Sequence, residues 1–298
     1  MTRIDSDHAE LLAQFDLFDD DSFARMPEVM EYARSRCPVA HTSAHGGLYM
    51  VTKFEDVKAV LSDPETYSSV ESTPLPSPVR LPPLDVDPPQ HSEFRKLLNP
   101  YFARPYLLKF EEVLRDLARQ AIDTFVDRGE VEFVHDFAIP FSSAAAAKIV
   151  FDENDGDRLK RAVAAVERIA RENSAESYEG LAVLAAEYLA ERTEIGGDSI
   201  IAAIVRATVD GRQLTMEEQI GIVTVLFIGG LDTTRGAIGN IAAALAKDPS
   251  LEDVVRKPDW IRDDLDEFLR YNSPVLALRR LVTRDVVLGT VNYARATS

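Results

Sequence analysis

LFIGGLDTTRGAIGN, Leu226 to Asn240, lies in the most apolar stretch of this 298-residue chain. Its pattern is that of a buried helix, interrupted by Gly229, Gly230, Asp232, Thr233 and Thr234. A glycine costs a helix interior up to about 1 kcal/mol relative to alanine, and a buried aspartate costs more unless it is paired. Two readings compete. In the first, TVLFIGG (224–230) is a strand and Asp232 caps a new helix, a strand–glycine–helix anion site. No G-x-G-x-x-G and no Walker lysine follows to support a phosphate there. In the second, one helix runs over 215–247. Gly229 and Gly230 then leave a smooth surface on which a flat ligand reaches the backbone. Thr233 hydrogen-bonds back to the carbonyl of Gly229, four residues earlier, and Asp232 carries protons inward. An acid beside an alcohol on such a helix suits chemistry in which dioxygen receives protons one at a time.

The flanks agree with a helix. VDGRQLTMEEQ (209–219) offers a turn at Asp210-Gly211 and then Thr215 with Glu218 three residues on, the pattern of a capping box. Further upstream, 156–197 supplies two helices. FEEVLRDLARQAIDTFVDRG, with Val113, Leu117, Ala121 and Phe125 on one face, predicts another that closes on Gly129. DVDPPQHSEFRKLLNP (85–100) predicts a helix with Asp87 as N-cap, Pro88 at N1 and Gln90 at N3 of a capping box. His91 and Arg95 then share a face, where two cations suit a dicarboxylate or a similar anion; the alternative is a solvated polar face. Before them, 73–89 holds seven of the 16 prolines and reads as an ordered, non-helical loop. Near the N-terminus, 47–69 predicts a short strand at Leu48–Thr52 and a helix stopped by Asp63-Pro64. Downstream, 251–271 reads as helix, with Glu267 and Arg270 an i, i+3 pair, and 279–290 alternates like a strand. The fold class is mainly α with a small β component.

Composition narrows the function. The chain is 46% hydrophobic and 28% charged, with a net charge of −17, which argues against a nucleic-acid partner and against an anionic membrane surface. One cysteine, Cys37, forbids an intrachain disulfide, and the acidic N-terminus lacks a signal-peptide pattern, so a soluble cytoplasmic protein is expected. The apolar run at 220–231 falls short of the ~20 residues that span a bilayer. Cys37, His41 and His45 have a zinc-like spacing, but Pro38 breaks the helix that would align them and no fourth ligand is evident, so no metal site is expected. No G-x-S-x-G, H-E-x-x-H or C-x-x-C occurs.

In order, GGLDTT, DPPQHSEFRKLLNPYF, VDGRQLTMEEQ and EFLRYNSPVLALRRLVTRDVVLG resemble four motifs of the bacterial cytochromes P450, and the resemblance spans essentially the whole chain. It implies a haem-dependent monooxygenase that inserts one atom of dioxygen into a small, hydrophobic molecule, supplied with electrons by a ferredoxin- or flavodoxin-type partner. Carried over position by position, it makes 215–247 the oxygen-activation helix and Asp232 and Thr233 the acid–alcohol pair. Gly229 and Gly230 lie against the haem, and His91, Arg95 and Arg280 hold its propionates. Glu267 and Arg270 become a buried structural pair, and 73–89 part of a substrate lid. Arg95, Lys96, Arg104 and Lys109, against Glu93 alone, form a basic patch suited to an acidic redox partner.

The family's iron ligand is a cysteine in F-x-x-G-x-x-x-C-x-G, and this pattern does not occur between Met1 and Ser298. Cys37 sits in an RCPVAH loop where the family often has Cys-Pro and no ligand. The expectation is therefore a single incomplete domain over 1–298 that lacks the cysteine-loop region. Without the axial cysteine, the chain is expected to be an inactive fragment. The alternative is a non-catalytic partner or scaffold protein related to the enzymes.

Overall fold

A computed structural model describes residues 3–73, 77–152, 155–288 and 291–293. The fold is mainly helical, with only short two-stranded sheets. Contacts group the chain into two compact units, Pro76–Leu278 and Met1–Leu75 with Arg279–Ser298. A long-range pairing that spacing does not reveal brings the segment after Leu278 to the N-terminal part of the chain. Leu281–Val282 pairs antiparallel with Tyr67–Ser68, and the Arg279 N–H donates to the Ser72 carbonyl at 2.9 Å.

The larger unit is built around the 32-residue helix Met216–Lys247. It packs on the helices Ile139–Ala146, Gly156–Glu172, Ala175–Ile195 and Ile200–Arg206. Gly221, Ile222, Val223, Leu226, Phe227 and Leu231 are buried on it. Phe227 stacks on Phe151 with ring centroids 4.2 Å apart, and Tyr188 meets both rings edge-on or tilted. The helix is long and apolar enough to cross a membrane by length and composition alone, yet here its apolar N-terminal half is buried in this core.

Its start follows from local chemistry. Asp210 and Gly211 both take positive φ (54° and 76°), the pattern of a type I′ turn, and join two-residue strands at Thr208–Val209 and Arg212–Gln213. Thr215 then caps the helix: its side chain accepts from the Glu218 N–H, and the Glu218 carboxylate accepts from the Thr215 N–H at 2.8 Å. Arg212 donates to both Glu218 oxygens at 2.6 and 2.7 Å. The Arg212 guanidinium, with the Thr215 N–H and against the opposing effect of partial burial, brings the Glu218 carboxyl down from 4.5 to about 2. The folded value lies below the unfolded one, so this group's contribution is complete above pH 4.5 and fades as pH falls toward 2. Glu218→Gln is expected to lose about 1 kcal/mol at neutral pH. Acid titration of its unfolding free energy should also lose part of the wild-type slope in that window.

Four sequence expectations need correction. The helix at 90 begins at Gln90 with Pro89 as N-cap and no side-chain cap; Asp87 is not the N-cap, because 88–89 form a turn ahead of the first helical residue. The Glu111–Asp123 helix ends before Phe125. The region 251–271 is broken into Glu252–Val255, Trp260–Asp263 and Leu265–Tyr271, with Pro258 between the first two. The strand expected at 279–290 is two short strands, Leu281–Val282 and Val286–Leu288, the second pairing with Val291–Tyr293.

In the smaller unit, Val39–Thr42 and Leu48–Val51 form an antiparallel hairpin. Leu12, Phe15, Val29, Ala33 and Ala40 make its principal core. Of the proline-rich loop, 74–76 lie outside the described residues, as do 289–290 and 294–298; the described part, 77–89, contains no helix.

Candidate functional site

The long helix changes character at Gly229. From Gly221 to Phe227 every residue but Val225 is buried; from Gly229 onward every residue except Leu231 has some solvent exposure. A Cβ built at Gly229 would have no atom within 4 Å, so the helix presents bare backbone to open space there. At Gly230 the corresponding Cβ would touch Ala146 at 3.5 Å, which places that glycine against the neighbouring helix. The two adjacent glycines thus do different things: one exposes backbone and the other permits close packing.

One turn on, the Thr233 hydroxyl donates to the Gly229 carbonyl at 2.6 Å. That bond commits the hydroxyl hydrogen and leaves the oxygen's lone pairs available as acceptors. Asp232, beside it, accepts from Arg235 Nε and Nη2 at 3.1 and 2.7 Å. Its side chain retains 41% exposure, so it is in contact with solvent. Sequence spacing singles out Asp232 and Thr233 and not their neighbour Arg235, whose i, i+3 position relative to Asp232 was the available signal for this ion pair.

Beyond Thr233 the helix holds the segment after Tyr271. Asn240 donates to the Asn272 carbonyl at 3.0 Å, and a Cβ at Gly236 would meet Pro274 at 3.4 Å. Docked by these contacts, the segment leaves Val275, Leu276 and Leu278 43–49% exposed, an apolar run open to solvent.

His91 and Arg95 lie in the same unit on the Gln90–Phe102 helix, half-buried and exposed respectively. Neither has a carboxylate partner among the described residues. Arg280 belongs to the smaller unit, half-buried, and donates to the Arg279 carbonyl at 2.8 Å. Of the basic patch, Arg95, Lys96, Arg104 and Lys109 are exposed; Lys96 is paired with Glu93 and Lys109 lies 5.0 Å above the Tyr106 ring. Glu267 and Arg270 form a two-bond pair at 2.6 and 2.7 Å. It is not the buried pair expected: its side chains are 65% and 69% exposed, because no described residue packs over this face of the short helix.

The zinc-like spacing does not assemble. His45 pairs with Asp16 at 2.8 Å, His41 rests edge-on against Tyr49, and the exposed Cys37 thiol donates to the Val39 carbonyl at 3.5 Å. Among the described residues no group of three or more His, Cys, Asp or Glu side chains is placed to hold a metal ion.

Two features among the described residues of the larger unit are compatible with a planar, carboxylate-bearing ligand such as haem. Bare backbone at Gly229 leaves room for a planar ring, and neither His91 nor Arg95 is engaged by a carboxylate among the described residues, which leaves both side chains able to donate to an anionic group such as a propionate. An axial thiolate is the component that the described residues of this unit do not provide, since the only cysteine is Cys37 of the smaller unit.

No family model matches the chain. Its curated relatives are bacterial cytochromes P450. "Probable cytochrome P450 127A1" of Sinorhizobium fredii is 28% identical over 292 residues, covering 93% of this chain and 70% of the relative. "Cytochrome P450 107B1" of Saccharopolyspora erythraea is 28% identical over 277 residues, covering 86% and 68%. Among solved structures, CYP101J2 superposes with a TM-score of 0.79 at 27% identity, over 95% of this chain and 73% of that one. The chain therefore spans about 70% of the length of such relatives.

Proposed function

The chain is a homologue of the bacterial cytochromes P450 and has their fold, and on that premise we propose that it carries the oxygen-side half of a haem monooxygenase site. The observation that carries this reading is the 2.6 Å bond from Thr233 to the Gly229 carbonyl, set where the helix turns bare backbone to open space. The net reaction is R–H + O2 + 2 e− + 2 H+ giving R–OH + H2O. Haem, when bound, supplies the iron at which dioxygen is reduced.

The chain's own residues then divide the remaining work. Gly229 lets the ring approach the helix. His91 and Arg95 hold carboxylates of the ring. Thr233 keeps its hydroxyl fixed with lone pairs free to hold a water, and solvent-exposed Asp232 exchanges protons with bulk water. Val275, Leu276 and Leu278 offer an apolar surface to a small hydrophobic substrate, and the described loop 77–89 of the same unit would serve as part of a lid. Electrons arrive from an acidic ferredoxin- or flavodoxin-type protein docked on Arg95, Arg104 and Lys109, in the cytoplasm. Cys37 takes no part, and no observation favours a scaffold role.

Haem titration of the purified chain tests this. Gly229→Leu, which fills the open space, is expected to weaken haem binding at least about tenfold, the scale of an overpacked contact. Cys37→Ser should leave the affinity and the reduced, CO-bound spectrum as in wild type. Equal affinity in wild type and Gly229→Leu would sink the proposed face. A red-shifted thiolate band abolished by Cys37→Ser would restore that cysteine as the ligand.

A further inference from the structure

Arg235 is the least exposed member of a three-residue ionic network, at 18% against 41% for Asp232 and 34% for Glu167. Its Nε and Nη2 both donate to one oxygen, Asp232 Oδ1. Its Nη1 donates to Glu167 Oε1 at 3.0 Å, on the Gly156–Glu172 helix. Asp232 Oδ2 takes no partner among the described residues. Among those residues, no ion pair reaches Asp232 from any other element packed on the long helix.

A carboxylate on a short stem rotates freely unless something fixes it. A planar guanidinium with two donors on one oxygen fixes that oxygen and thereby aims the other. Arginine stays protonated in proteins, so Arg235 cannot itself pass protons on. Its contribution is geometric. Glu167 holds the far side of the fork, so the guanidinium cannot follow Asp232 if the acid turns.

We propose that Arg235 is the positioning residue for Asp232: it immobilises Oδ1, leaves Oδ2 as the proton-exchanging atom, and anchors that arrangement to the Gly156–Glu172 helix through Glu167. The proposal rests on the acid–alcohol reading above. It predicts that charge alone is insufficient at position 235. Lysine keeps the charge and loses the fork.

Two readouts test it. In the chain labelled with 15N-arginine, the Arg235 signals are identified by their loss in Arg235→Lys. They should show resolved, exchange-protected Nη protons, with Glu167→Gln collapsing those of Nη1 and Asp232→Asn those of Nη2. Rapidly exchanging Nη protons in wild type would overturn the fork, and with it the proposal. In haem-loaded protein under turnover, Arg235→Lys should raise the solvent deuterium isotope effect. The reducing equivalents spent per product should rise about tenfold, less than the roughly 10²–10⁴-fold that a positioned proton donor contributes, because Asp232 itself is still present. Thr233→Val should do the same. If Arg235→Lys behaves as wild type while Thr233→Val does not, the positioning role is wrong and the acid–alcohol reading stands. If Thr233→Val changes neither quantity while the fork is intact in the spectra, the acid–alcohol reading fails and takes the proposal with it.

Discussion

Phe227→Ala is expected to destabilise the larger unit by about 3–5 kcal/mol, the range for removing a buried aromatic ring. Phe227 is fully buried, stacked at 4.2 Å on Phe151 and in edge contact with Tyr188 at 5.5 Å. Both partners are themselves at 2% exposure or less, so the site has little room to collapse and the cavity term is retained. The residue also matters to the candidate site. It lies two positions before Gly229, about 200° around a helix, so the ring that plugs the core on one side turns the glycine outward on the other. Urea unfolding followed by circular dichroism measures the loss. Phe227→Leu, which keeps most of the apolar volume, should recover more than half of it. A loss below about 1 kcal/mol for alanine would mean that the aromatic cluster does not fix the helix.

Much of this arrangement is readable in the sequence because it depends on local chemistry. The capping box at Thr215, the Asp210-Gly211 turn and the Thr233-to-Gly229 bond are all interactions between residues at most four apart, and their spacing determines them. Arg235 was legible in the same way as an i, i+3 partner of Asp232, but its second bond, to Glu167 68 residues away, was not. What spacing misses is contact between distant segments. The pairing of Leu281–Val282 with Tyr67–Ser68 joins segments more than 200 residues apart within the smaller unit, and nothing in either short stretch names the other as partner. The helix at Gln90 is a different failure. Asp87, Pro88 and Gln90 fit a capping pattern, yet the chain makes a turn first and starts the helix two residues later than that pattern implies, with no side-chain cap. Glu267 and Arg270 show the limit of motif reasoning about burial. The pair forms, but whether it is buried depends on what covers it, and among the described residues nothing does.

The glycines of the long helix give the sharpest remaining contrast, because sequence alone treats them alike. Gly221 is buried on the core side, where a Cβ would lie 2.4 Å from the Arg80 carbonyl oxygen and 2.8 Å from Pro82 Cδ. The first of these is backbone and cannot swing aside. It is also held from behind, because the Asp85 carboxylate accepts from the Leu81 N–H at 2.8 Å and pairs with Arg80 at 3.2 Å. Gly221→Ala must therefore move either the helix or the whole 80–85 turn. The expected cost is about 2–3 kcal/mol, from overpacking set against the usual helical gain of alanine over glycine. At Gly229 the same change meets open space, so only the gain remains, about 0.5–1 kcal/mol of added stability. Measured side by side by urea unfolding, the two substitutions should differ in sign. The Gly221 variant should also be cut faster by protease within 77–86, because the turn that rests on the helix is the part that yields. Equal stability in both variants would show that the loop does not rest on Gly221. The case for 80–85 as a fixed base, which any lid in 73–89 would need for its hinge, would fall with it.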